Sequence, residues 1–174
     1  MLVVEIAGEA LQELDYIQKK VRALHIGNED DFVVIADPAQ QEEVWAVRKA
    51  GLGIVMSVRG DSKPVPFIED AAVPVEHLPE YISELKRCGR AAGVETMAVY
   101  AHASAGCLHV RPLINLKTGE GLRQMRQIAE KSVELVTALG GTTSGEHGEG
   151  QSRGEFSEKL FGPGVVRQRL ARLY

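Results

Sequence analysis

Two short segments of this chain carry side chains able to do chemistry together. One is His102-Ala103-Ser104-Ala105-Gly106-Cys107-Leu108-His109, and the other is Ser144-Gly145-Glu146-His147-Gly148-Glu149-Gly150. They hold three of the five histidines. Two imidazoles and a nearby carboxylate make a donor set for a catalytic divalent metal ion. His102 and His109 bracket a run of small residues, so a ligand has room to approach. Glu146 offers an anionic oxygen, and His147 is the natural proton acceptor beside it. The competing reading is plainer: each histidine is a polar residue satisfied by backbone partners, and the glycine-rich stretch is a solvent loop. The choice turns on whether the two segments meet in space.

Three cations form a second set. Arg48 ends an expected helix, and Lys63 lies in an extended stretch between Asp61 and Pro64. Arg111 shares a strand face with His109 by the period of two. A guanidinium and an ammonium converging on a pocket would hold a carboxylate, although surface cations are ordinarily just solvated.

The elements that must position these residues follow from hydrophobic period. Leu2–Ile6 and Phe32–Ile35 read as strands, with an amphipathic helix over about residues 9–24 between them. A helix from Gln40 to about Lys49 follows, with Val44 and Val47 inward. Val65–Asp70 reads as a strand. A helix from about 75 to 92 ends at Gly93, a natural cap. Thr96–Tyr100 and Leu108–Leu113 read as strands joined through Gly106. A long helix spans about Gly119–Leu139, with Leu122, Met125, Ile128, Val133, Val136 and Leu139 as its stripe, and Gly140-Gly141 ends it. A short helix near Glu155–Leu160 and a basic helical tail complete the chain. This order lacks a βαβ rhythm. It predicts an α+β fold with a mainly antiparallel sheet covered by helices on one face.

Bulk properties narrow the function. The chain has 174 residues, 44% hydrophobic and 25% charged, with a net charge of -4. That suits one globular domain and argues against nucleic acid as a partner. No apolar run reaches the length of a membrane span, and the N-terminus lacks a signal-peptide pattern. Two cysteines, Cys88 and Cys107, make no disulfide framework, so a reduced, cytoplasmic setting is expected. No dinucleotide fingerprint or P-loop is present.

The two motifs, in this order and separation, resemble those of a known domain. His102 to His109 followed by Val110-Arg111-Pro112-Leu113, and Gly140-Gly141 through Gly150, are similar to the C-terminal (cap) domain of FAD-linked oxidases. These are the D-lactate, glycolate and D-2-hydroxyglutarate dehydrogenases of the vanillyl-alcohol-oxidase type. Trp45-Ala46-Val47-Arg48-Lys49 and Ala72-Val73-Pro74 fit as well. The resemblance implies a ferredoxin-like cap domain over residues 1–174, and a 2-hydroxy acid as substrate. It implies that His102, His109 and Glu146 bind a divalent metal, with zinc the expected ion, and that His147 is the general base. It assigns the substrate carboxylate to Arg48 and Lys63. Ser104, Ala105 and Cys107 depart from the common loop and are similar to the branch fused to an iron–sulfur region. Arg111 stands where other members carry a substrate-binding Asn. The FAD-binding domain of such enzymes has no counterpart here, so the chain reads as a fragment, a cloned domain or half of a split enzyme, with little dehydrogenase activity alone. Two other readings stay open on the residues: a silent carboxylate- and metal-binding module docked on a separate flavoprotein, and a free-standing metal hydrolase.

Overall fold

A computed structural model describes residues 2–24 and 26–170. The chain divides into two compact units, residues 1–50 and 51–174.

The first unit holds helix α1 (Leu11–Arg22) and most of helix α2 (Pro38–Met56). Asp37 starts α2 by accepting the Gln40 backbone N–H at 3.1 Å, the usual service of an N-cap aspartate. The helix runs on past Lys49 because nothing at Gly51 or Gly53 forces a break, and it ends at Met56. Val44 is half-buried in it, whereas Val47 is exposed. The two strands expected here, Leu2–Ile6 and Phe32–Ile35, are irregular chain instead. A strand exists only where a neighbour takes its backbone groups, and no described segment pairs with either stretch. Leu2, Val3, Val4, Val33 and Val34 lie exposed, Val33 at 81%, whereas Ile6, Phe32 and Ile35 are half-buried.

The second unit is the α+β fold that the pattern predicts. Strand β4 (Cys107–Ile114) is its axis. On one side it pairs antiparallel with β3 (Met97–His102), with His102 opposite Cys107 and Tyr100 opposite His109. On the other side it pairs antiparallel with β1 (Lys63–Pro64) and β2 (Ile68–Ala72). The strand expected at Val65–Asp70 begins only at Ile68 and runs to Ala72, because Pro66 has no N–H for a ladder and Phe67 turns back onto the Val65 carbonyl.

Helices α3 (Leu78–Ala91) and α4 (Gly119–Ala138) cover one sheet face. Their buried residues Tyr81, Leu85, Ile128 and Val136 join Ile68, Ala71, Leu108, Val110 and Ile114 in one core. The Tyr81 hydroxyl meets Ser132 Oγ at 2.7 Å inside it. Thr118 caps α4 by accepting the Gly121 N–H at 3.0 Å. Of the expected α4 stripe, Ile128, Val133 and Val136 are buried, whereas Leu122 is 56% exposed. Helices α5 (Gly150–Arg153) and α6 (Ser157–Leu170) follow, the latter kinked at Gly162-Pro163. Among the described residues, no helix is long and apolar enough to cross a membrane.

Candidate functional site

Strand alternation puts Leu108 and Val110 into the core and therefore Cys107, His109 and Arg111 on the opposite sheet face. Paired residues share a face, so Tyr100 and His102 of β3 join them. His102 closes β3, and the turn Ala103–Ala105 leads into β4 through Gly106. Gly106 has φ +67°, and a Cβ there would sit 2.0 Å from the Val73 carbonyl oxygen, so only glycine fits. This tight return brings the two imidazoles edge to face, ring centroids 5.4 Å apart.

Glu146 closes the group from the other segment. Its Oε1 lies 3.8 Å from His102 Nε2 and its Oε2 lies 3.7 Å from His109 Nε2. One ligand atom from each of the three residues falls within 4.8 Å of the others. Donors around a tetrahedral zinc, with bonds of about 2.0–2.1 Å, sit about 3.3 Å apart. The observed separations, up to 4.8 Å, are wider than that spacing. His147 adjoins the group: its Nε2 is 3.6 Å from Glu146 Oε2, and its ring centroid is 6.1 Å from that of His109.

A bulge in β2 supplies what stands behind these side chains. Ile68 pairs with Val110 and Ala71 with Leu108, so Glu69 and Asp70 together oppose His109. An extra residue in one strand re-aims side chains, and bulges recur beside active sites for that reason. Asp70 adopts φ +57° to make the bulge, a conformation that non-glycine residues adopt uncommonly.

Glu69 faces the imidazole row. Its Oε1 lies 3.0 Å from His109 Nδ1 and accepts from Arg111 Nη2 at 2.8 Å. A carboxylate on Nδ1 makes that nitrogen the donor and leaves the Nε2 lone pair free to ligate. Arg111 is only 14% exposed at its side chain, and this shared acceptor confirms that it lies on the His109 side of β4.

Asp70 faces the other segment. It is fully buried, and its Oδ2 accepts from the N–H of Glu146 at 2.8 Å, the N–H of His147 at 2.6 Å and the Ser144 hydroxyl at 2.7 Å. Arg153 Nη1 donates to its Oδ1 at 2.9 Å. Burial works to raise the Asp70 pKa. The donors from His147, Ser144, Glu146 and Arg153 outweigh it and hold the group at about 2, below its ordinary 3.8. A carboxylate whose folded pKa is depressed stabilises the fold above its unfolded pKa and loses that contribution as pH falls through the folded one. The shift is on the order of 2 kcal/mol. The urea midpoint of the chain is therefore expected to drop between about pH 4 and pH 2, and Asp70→Asn flattens that drop. Equal slopes for parent and variant across this window would contradict the assignment.

Cys107 shares the site face and is buried. Burial first, then the charges of Glu146, Asp70 and Glu69, push its thiol pKa up. Its burial suits a packing residue. The same three carboxylates make the surroundings favourable for a cation.

Residues 1–168 match the family described as FAD linked oxidases, C-terminal domain. The chain belongs to that family. It is 34% identical over 171 residues to the D-2-hydroxyglutarate dehydrogenase of Haemophilus influenzae, and 35% identical over 172 residues to that of Escherichia coli. Each alignment covers 92% of this chain and 16% of the relative. A mitochondrial cytochrome D-lactate dehydrogenase of Arabidopsis thaliana is 28% identical over 151 residues, covering 87% of this chain and 26% of the relative. The chain thus spans about one sixth of the length of the D-2-hydroxyglutarate dehydrogenases it matches.

Within this FAD-linked oxidase domain, the structure brings His102, His109, Glu146 and His147 together and sets Arg111 beside them through Glu69. Lys63 stands apart from the triad. It pairs with Ile114, about 17 Å along β4 from His109, and its Nζ donates to the Val58 carbonyl at 2.5 Å. Arg48 belongs to the first unit, where its guanidinium lies over the Trp45 ring, 5.3 Å from the centroid. Glu69, Asp70 and Arg153 were not among the residues read from the sequence as functional. The first two did carry a signal: adjacent carboxylates inside the apolar run Phe67–Val73, where buried charges are rare unless paired. Arg153 carried none.

Proposed function

We propose that this chain is the substrate- and metal-binding part of an FAD-dependent dehydrogenase that oxidises a 2-hydroxy acid to a 2-oxo acid. The observation that carries the reading is the convergence of His102 Nε2, His109 Nε2 and the Glu146 carboxylate, with His147 alongside. Two imidazole nitrogens and one carboxylate suit a catalytic zinc with an open position, and the Glu69 contact prepares His109 for that role. Such an ion supplies the Lewis acidity that makes an α-hydroxyl easier to deprotonate. His147 takes the hydroxyl proton on its imidazole nitrogen. FAD, bound mainly by a domain outside these residues, supplies the hydride acceptor.

Arg111 binds the substrate carboxylate with the part of its donor fork that Glu69 leaves unused. Arg48 and Lys63 enter the clamp on the family resemblance, as does an iron–sulfur region as a further electron-transfer partner. The D-2-hydroxyglutarate dehydrogenases among the relatives make that dicarboxylate the first substrate to test.

The test joins this chain, in cis or in trans, to its FAD-binding region and follows reduction of an artificial acceptor by D-2-hydroxyglutarate, D-lactate and glycolate. Turnover on at least one is expected, and Glu146→Ala lowers it by at least about a hundredfold. No turnover on any of the three, or a Glu146→Ala enzyme as fast as the parent, overturns the reading.

A further inference from the structure

The buried pair Asp70–Arg153 includes neither a proposed ligand nor a residue of the carboxylate clamp, yet it holds the segment carrying Glu146 and His147 along its length. Between Thr142, which bridges Ala72, and α5, this segment has no helix or strand of its own. Its backbone groups must find other partners. One oxygen of Asp70 takes both the Glu146 and His147 N–H groups and the Ser144 hydroxyl. Arg153 takes the carbonyls of Thr143 and Gly148, each at 2.7 Å, and that of Glu69 on β2. Its side chain is 10% exposed and that of Asp70 is not exposed at all.

His102 and His109 are placed differently, by the β3–β4 ladder. The position of Glu146 relative to them is therefore the adjustable coordinate of the site. We propose that Asp70 and Arg153 are positioning residues, which set the Glu146 carboxylate and the His147 imidazole over the two sheet-borne histidines. The proposal rests on the metal reading of the triad. A residue that only stabilises the fold would affect metal binding without regard to Glu146. A residue that acts through Glu146 loses its effect once Glu146 is removed.

A double-mutant cycle on zinc affinity separates these cases. The probe is zinc alone, titrated by competition into the chain at a temperature where circular dichroism shows each variant folded. Asp70→Asn is expected to weaken zinc binding about 10–100-fold, the range seen when a ligand loses its supporting partner. Added to Glu146→Ala, the same substitution changes the residual affinity by no more than about twofold. Removing one partner of a buried pair is disruptive, so Arg153→Lys is measured in parallel. It keeps the charge that Asp70 faces but lacks the planar fork that serves several acceptors at once, and the same weakening is expected. The visible spectrum of bound Co²⁺, which reports the donor set, shifts in both single variants.

The outcomes are separable. A parent that binds no zinc removes the metal reading itself. A parent that binds, with Glu146→Ala weakened but Asp70→Asn and Arg153→Lys at parental affinity and spectrum, overturns the positioning role alone. So does a full Asp70→Asn effect persisting in the Glu146→Ala background. Should Asp70→Asn fail to fold, the Arg153→Lys arm of the cycle decides by the same criteria.

Discussion

Replacing His109 with alanine is expected to weaken zinc binding by more than about a hundredfold, beyond the 10–100-fold typical of losing an outer-shell partner. His109 is at the centre of the site's wiring. It is 8% exposed, its Nε2 faces Glu146, and its Nδ1 is held by Glu69. Alanine removes a donor and also frees the Glu69 carboxylate to close fully on Arg111. Glu69→Gln isolates the second effect. It keeps the size of the side chain but lets the amide present its N–H to Nδ1, which favours the wrong tautomer. A smaller loss, within the 10–100-fold range, is expected there. Competition titration against a colorimetric chelator reads both. Equal affinity for parent and His109→Ala would place the metal elsewhere.

The second large effect concerns rate rather than affinity. His147→Ala in the assembled flavoenzyme is expected to lower kcat by about 10²–10⁴, the usual contribution of a general base, while zinc affinity stays within a few-fold of the parent. The split follows from geometry. His147 is on the rim of the group, 58% exposed, with its Nε2 facing the same Glu146 oxygen that faces His109. Its backbone N–H is held by Asp70 rather than by any of the three proposed ligands. Measured together, kcat and zinc affinity distinguish a base from a fourth ligand. If affinity collapses along with kcat, His147 ligates the ion and the proton has another acceptor.

The meeting of the candidate site residues was easier to read from the sequence than the means that hold them. His102 and His109 could be read together because a strand period of two and a small-residue turn leave few ways to connect them, and Gly106 confirms the close approach with its left-handed φ. Glu146 and His147 were legible as chemistry, but the means of holding them was not. That means is the β2 bulge, and a bulge depends on which residue opposes which, a long-range fact absent from local pattern. The same limit explains Leu2–Ile6 and Phe32–Ile35. Their β-branched, apolar residues satisfy every local criterion for strands, yet pairing partners decide strand formation. Helices fared better because their hydrogen bonds are internal. Gly93 marks the end of α3 in the sequence and does so in the structure, at φ +78°. Lys63 is a candidate through the family resemblance, and local pattern says nothing of where it lies relative to the imidazoles. It joins the sheet beside Ile114, at the far end of β4 from the imidazole pair.

The central claim is that two imidazoles and one carboxylate from separate segments hold one metal ion. X-ray absorption at the zinc edge of the loaded parent chain, with the His109→Ala titration as its control, tests this most directly. The expected result is one zinc per chain in a nitrogen and oxygen shell at about 2.0–2.2 Å with scattering from two imidazole rings. A sulfur shell at about 2.3 Å would bring in Cys107, and that shell, or a spectrum with no imidazole pair, would contradict it.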